Sequence, residues 1–285
     1  MVLFIELSRI VFRIMIPYSV EIEDSIEKFL LKNTPERWDA EITFVPGCQD
    51  MGLWSEPCVY EDDYLAFRTR DGETLCAIKG GAAGPVAYTV CSADLSGMVC
   101  YMNTDSYPPL QSLSALMQLI PLKWYLSRKQ VLFLHAAQIL LDNKGILFMA
   151  PSGTGKTTQS KLWQRYRQAE ILCNDRVLMR DSRTYGLPYD GADPVCNPEE
   201  HEVHAIVCLG QAKENTITRL RPAMAVACLM QMVLCDMWEP TVRIFVSEAL
   251  LRIAGMIPVY QLDCTPDENA VICLENQLRK DGVIT

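Results

Sequence analysis

The sequence contains no CxxC pair and no closely spaced Cys/His quartet, so its 12 cysteines do not read as a zinc ribbon or finger. They are scattered. Several lie in apolar runs, Cys208 in AIVCLG and Cys228 and Cys235 in ACLMQMVLC, where a thiol behaves as a small buried hydrophobe. With no export signal either, free thiols in a reducing cytoplasm are expected. Positive charge is also scarce: 26 Lys and Arg stand against 35 Asp and Glu, a net charge of -9. Nucleic-acid backbones are held by dense Lys and Arg, so a nucleic-acid partner is not expected. Nor is a membrane span. The apolar opening stretch is interrupted by Glu6, Arg9 and Arg13, and the run from Leu110 to Leu126 is short and carries Pro121 and Lys123. Low-complexity tracts and internal repeats are absent, which excludes wholesale disorder and solenoid architectures.

What is present is enough apolar residue, 49% of 285, to build two modest cores. Residues 1–109 read as a β-rich mixed domain: LFIEL, AEITFVP, YLAFRTRDGETLCAIKG, VAYTVCSAD and MVCYMN have strand character. The Asp71-Gly72 pair between apolar runs predicts a hairpin, and one helix is expected near Ile22 to Leu31. After Pro108-Pro109 the pattern predicts a helix from Leu110 to Ser127, kinked at Pro121, so residues 110–130 form the connection. From residue 131 to 285 the text is α/β. VLFLHAAQILL and GILFMA read as strands, Lys156 to Arg167 as a helix, and EILCND as a short strand. Farther on, AIVCLG and VYQLDC read as strands and Pro222 to about Met237 and about Val246 to Ala254 as helices. Thr265-Pro266-Asp267-Glu268 predicts the start of the last helix, with Thr265 as its cap.

The segment APSGTGKTT, from Ala150 to Thr158, fits G-x-x-x-x-G-K-[ST] except that Ala150 stands for the first glycine. Small size suffices at that position unless the backbone needs a positive φ. The expected cradle is Ser152, Gly153, Thr154, Gly155, Lys156, Thr157 and Thr158. Backbone N–H groups around Gly153 and Gly155 face phosphate oxygens, Lys156 neutralises the β and γ groups, and the Thr157 hydroxyl joins a Mg²⁺ shell. The following helix adds its positive end. ATP with Mg²⁺, or Mn²⁺ in its place, is the implied cofactor set.

Asp175 ends the run EILC-Asn174, one helix and one strand after Thr157, where an acid can hold the metal directly or through water. His135 closes the strand VLFLH ahead of GILFMA and reads either as a core histidine or as a site residue. His201 and His204, in EEHEVH, have a spacing like that of metal ligands, but the acids around them suggest a solvated loop. Arg219 and Arg221 precede a helix start and read either as an internal arginine finger or as solvated strand-end cations. Tyr185 to Gly191 reads as a loop that could close over an acceptor, or as ordinary turn chemistry.

The stretch LHAAQILLDNKGILFMAPSGTGKTTQSKLW, followed by CNDRV, resembles the nucleotide site shared by phosphoenolpyruvate carboxykinases and HPr kinase/phosphorylases. The likeness is close from Val131 to Val177. Beyond it, YGLPYDG, AIVCLGQAKEN and TRLRPAMAV look like the smaller HPr-kinase-related proteins of bacterial peptide-modification clusters. The resemblance implies an α/β fold with a P-loop nucleotide-binding domain of that type behind a smaller β-rich mixed domain. It also implies that Lys156 and Thr157 bind triphosphate and metal, that Asp175 is the second acid of an Asp-Asp pair, and that His135 lies near the transferred phosphoryl group. Lys156, Asp175 and His135 are thus the expected catalytic residues, and Thr157 and Asp175 the metal ligands. Asn174 departs from the pattern: it occupies the place of the first acid, and an amide cannot act as a base.

The activity implied is an ATP-dependent phosphotransferase acting on a hydroxyl of a peptide, small protein or small metabolite, with a homo-oligomer possible. A carboxykinase is the alternative, although those enzymes are nearly twice as long and bring a dicarboxylate-binding set of Arg and Lys that is not located here. A nucleotide-gated peptide-binding protein without catalysis is the third reading, kept open by Asn174. HPr itself is not the expected acceptor, since no EVRGLG-like signature follows Asp175.

Overall fold

The computed structural model describes residues 1–47, 52–81, 84–188 and 195–285. It is a mixed α/β structure with two mixed sheets, and it divides into two compact units, Met1–Tyr125 and Leu126–Thr285.

The first unit holds strands β1 (Val2–Leu7), β2 (Ile10–Met15), β3 (Ala40–Pro46), β4 (Cys58–Glu61), β5 (Leu65–Arg70), β6 (Glu73–Ile78), β7 (Ala87–Cys91) and β8 (Gly97–Met102). They form one sheet in the order β1-β2-β3-β8-β7-β6-β5-β4, parallel at β2–β3 and β3–β8 and antiparallel elsewhere. The Asp71-Gly72 hairpin joins β5 to β6, with φ of 49° and 86° at the two turn residues, the positive values a tight hairpin turn requires. Strand β2 was not foreseen. Its charges misled the sequence reading, yet Ile10, Phe12 and Ile14 point inward by strict alternation while Arg13 reaches Glu41 at 2.9 Å.

Two helical expectations are corrected in this part of the chain. The helix near Ile22 to Leu31 is a single turn, α1 (Asp24–Glu27), because Leu30 bridges Ile5 and the Leu31 N–H donates to the Phe4 carbonyl. The segment next to a sheet edge takes the edge's hydrogen bonds instead of its own. The helix from Leu110 to Ser127 is two pieces, α2 (Leu113–Met117), capped by the Ser112 hydroxyl, and α3 (Leu122–Arg128). Pro121 immediately precedes the second piece, its carbonyl accepting the Tyr125 N–H at 2.9 Å, and does not kink a continuous helix.

The second unit opens with β9 (Leu132–Leu141) and β10 (Lys144–Met149), an antiparallel hairpin turned by Asp142 and Asn143, both at positive φ. Then follow α4 (Lys156–Arg167), β11 (Glu170–Cys173), β12 (Arg176–Arg180), β13 (Arg183–Tyr185), β14 (His201–Gln211), β15 (Thr216–Arg219), α5 (Pro222–Met230), α6 (Pro240–Met256), β16 (Val259–Cys264) and α7 (Glu268–Lys280). The sheet runs β10-β9-β12-β13-β14-β16-β15, with β11 on β9 and a further parallel pairing of β10 with β14. The pairings β9-β12-β13-β14-β10-β9 therefore close a ring.

One face of this sheet carries Ala137, Ile139, Phe148, Val207 and Leu262 against Trp163 of α4 and Val271 and Leu274 of α7. Trp163 is fully buried, so its truncation to Ala should cost about 3–5 kcal/mol and unseat α4. Helix α5 is shorter than expected and α6 longer, and α7 is capped by Asp267, whose carboxylate accepts the Asn269 N–H at 2.9 Å, while the Thr265 hydroxyl bonds Asp267 and Asn215 and does not cap the helix. Cys208 of β14 and Cys228 of α5 form a disulfide, which corrects the expectation of free thiols for that pair. Among the described residues no helix is long and apolar enough to cross a membrane.

Candidate functional site

The register of the β9–β10 hairpin decides what faces the glycine-rich loop. Ala136 pairs with Met149, so His135 lies across from Ala150, the first loop residue. On its other side His135 pairs with Arg176 of β12, and the Ala136 N–H donates to the Asp175 carbonyl at 3.0 Å. The His135 backbone N–H itself is taken by the Met232 carbonyl at 2.9 Å. His135 is thus held between the loop and the Asn174-Asp175 corner, and its Nε2 lies 3.1 Å from Asp175 Oδ1.

The loop is built on two glycines in conformations that other residues avoid. Gly153 and Gly155 have φ of 77° and 120°, values that L side chains rarely adopt. Ala150 is not among the positive-φ residues, which accounts for the tolerated departure from glycine there. Helix α4 begins immediately after Gly155 with no side-chain cap, leaving its first N–H groups directed at the loop. Ser152, Gly153 and Thr158 are exposed and Thr154, Gly155 and Thr157 half-buried, so a ligand can reach all of them.

Lys156 is only 6% exposed, unusual for a lysine, and its ammonium donates to the Ala150 carbonyl at 2.9 Å. Burial lowers its pKa from the ordinary lysine value, and the Asp175 charge opposes that shift. The His135 pKa is also lowered, first by burial and then by the Lys156 charge, with Asp175 pulling the other way. The three side chains therefore sense one another electrostatically. A neutral imidazole beside a carboxylate donates through Nε2 and keeps its Nδ1 lone pair for a proton.

Among the described residues no group of three or more His, Cys, Asp or Glu is arranged to hold a metal by itself. Mg²⁺ is usually held by one or two carboxylates together with substrate phosphates and waters, so it does not need a full set of protein ligands. Thr157 and Asp175, the latter one-third exposed at its side chain, are the groups that would hold it. Asn174 is 4% exposed, packed inward beside Asp175.

Several candidate residues fall away from this centre. His201 and His204 lie in β14, not in a solvated loop, and stand three residues apart on a strand, hence on opposite faces. Arg219 pairs with Asp281 at 3.5 Å and lies opposite Tyr260, at the end of β15 remote from the loop; Arg221 is exposed just before α5. In the segment from Tyr185 the tyrosine hydroxyl donates to Glu200 at 2.7 Å, and residues 189–191 lie outside the described residues.

The sequence reading missed Gln211. It ends β14, the parallel neighbour of β10, and its amide donates to the carbonyls of Gly153 and Thr154 at 3.2 and 3.3 Å. Beside it a cavity of about 380 Å³ opens between Gly153, Thr158 and Gln159 on one side and Cys264 and Pro266 on the other. The sequence signal for such a residue is its place at the end of a strand parallel to the loop's own strand.

The chain resembles the Hpr(Ser) kinase/phosphatase from Coxiella burnetii in structure at a TM-score of 0.31, with 11% identity over 53% of this chain and 98% of that one, and no assignment rests on that likeness. No curated protein matches the sequence. Residues 98–271, more than half of the chain, match the family described as SynChlorMet cassette protein ScmC, and the chain belongs to that family.

Proposed function

We propose that this protein is an ATP-dependent phosphotransferase that moves a γ-phosphoryl group to a hydroxyl of a peptide, small protein or small metabolite. The observation that carries the reading is the meeting of Lys156, Asp175 and His135 at the mouth of a loop built on two positive-φ glycines. The α4 N-terminus and the loop N–H groups bind the phosphates, Lys156 offsets negative charge at the transferred group, and the 380 Å³ cavity takes the nucleoside. Bound Mg²⁺ supplies charge neutralisation across the phosphate oxygens. Transfer of this kind passes through a loose transition state, so positioning and charge count for more than early deprotonation. The acceptor proton goes to the Asp175–His135 pair, which does the work that Asn174 cannot.

The buried Asn174 favours one rival, a nucleotide-gated binding protein without turnover. Incubation with Mg²⁺ and γ-labelled ATP, with serine peptides, hydroxylated metabolites or oxaloacetate, separates the readings. Label on a hydroxyl supports the kinase. Oxaloacetate-dependent CO₂ release would make it a carboxykinase, and retained nucleotide binding with neither outcome would leave the binding protein.

A further inference from the structure

Away from the loop, a second cavity of about 170 Å³ opens at the end of the sheet where β9 begins and β12 ends, covered by α6. Its floor is apolar, with Leu132, Phe245 and Ile253, and its rim carries Lys129, Arg180 and Arg252 against the single acid Asp181. About 150 Å³ is enough to hold a benzene-sized group, so by volume one apolar side chain fits between the apolar floor and the cationic rim. Met256, 59% exposed, forms a wall of this cavity and also of a neighbouring one of about 200 Å³, whose lip bears Arg219. Both cavities open beside Met256, so a ligand longer than a single small ion can touch both. A cation-rich groove is also out of character for a chain with 35 acids against 26 bases.

We propose that this groove docks an extended acidic peptide segment, one apolar side chain of which enters the cavity under Phe245 while flanking carboxylates meet Lys129, Arg180 and Arg252. Arg180 suits that role: its Nη2 donates to the Lys129 carbonyl at 3.0 Å, which fixes the guanidinium at the cavity rim. Leu132 and His135 stand three residues apart on β9 and so face opposite sides of the strand, which separates docking from the loop chemistry. The inference goes beyond the phosphotransferase reading and does not depend on it.

The test is fluorescence anisotropy with a labelled synthetic peptide of Glu and Asp around one central Leu, measured without nucleotide. Its controls are the Gln/Asn twin, the Leu-to-Ala twin, free glutamate as competitor and an oligothymidylate of equal charge. The acidic Leu peptide should bind about tenfold more tightly than either twin, and Arg252→Glu should erase that margin. Ile244→Glu, a change at an exposed position of α6 that does not line the cavity, should keep it. Arg252→Gln, a milder change, should lose part of the margin and guards against a misfolded charge reversal. Equal binding of the twins, indifference to both Arg252 variants, full displacement by free glutamate at matched carboxylate concentration, or equal affinity for the oligothymidylate would each overturn the proposal.

Discussion

His135 Nε2 and Asp175 Oδ1 lie 3.1 Å apart although 40 residues separate them in the chain. The contact exists because β12 and β10 flank the same stretch of β9, one bringing the acid and the other the glycine-rich loop. A histidine held from both sides in this way has two separable duties, structural and chemical, and they differ in what its replacement does.

His135→Gln is expected to stay folded and to bind Mg·ATP while phosphoryl transfer falls about a hundredfold or more. A variant that melts early yet keeps its activity per folded molecule would instead assign His135 to the core, where losing a buried hydrogen bond costs about 1–3 kcal/mol.

Acidification should separate the same two proteins. Burial and Lys156 hold the His135 pKa below its ordinary 6.5, so the unfolded chain binds that proton more readily than the native one. The stability associated with this group is present above about pH 6.5 and is lost as the pH falls toward the native value. Thermal melts near pH 7.5 and pH 5.5 should show a larger loss for the native sequence than for His135→Gln. Equal losses would mean that the imidazole is not depressed.

Mg·ATP at millimolar concentration should raise the melting temperature, since a ligand that binds only the native state stabilises it by mass action. Lys156→Ala should remove most of that shift. The same shift in both proteins would place the nucleotide elsewhere.

Asp175→Ala should abolish turnover, and Asn174→Asp should preserve or raise it by restoring an acid to the buried neighbouring position. Full activity in Asp175→Ala would take that carboxylate out of the chemistry.

Gln211→Ala tests a residue that touches the loop only through two carbonyls. The expected result is a Kd for Mg·ATP about threefold to tenfold weaker, with the fold unchanged, the size of one or two ordinary hydrogen bonds. An unchanged Kd would show that the loop holds its shape without this brace.

The loop, the helix behind it and the strand before it were legible because each is encoded within a few residues: GILFMA, the glycines, and the helical spacing after Lys156. Strand β2 was hidden by Arg13, whose partner Glu41 is distant in sequence. The break between α2 and α3 turned on whether Pro121 begins a helix or bends one, which local pattern does not decide. His201 and His204 looked like a pair because spacing was considered without the strand that puts them on opposite faces. Gln211 escaped because its role depends on β10 pairing with β14, a contact across some sixty residues that no local pattern announces.

The Asp142-Asn143 turn has a consequence for the order in which the site assembles. It brings His135 opposite Ala150 through a short local hairpin, whereas the β10–β14 pairing that delivers Gln211 must close a far longer loop. Closure entropy rises with loop length and non-local pairing slows folding. The His135 side of the loop can therefore zip early, while its Gln211 brace arrives only with the global transition.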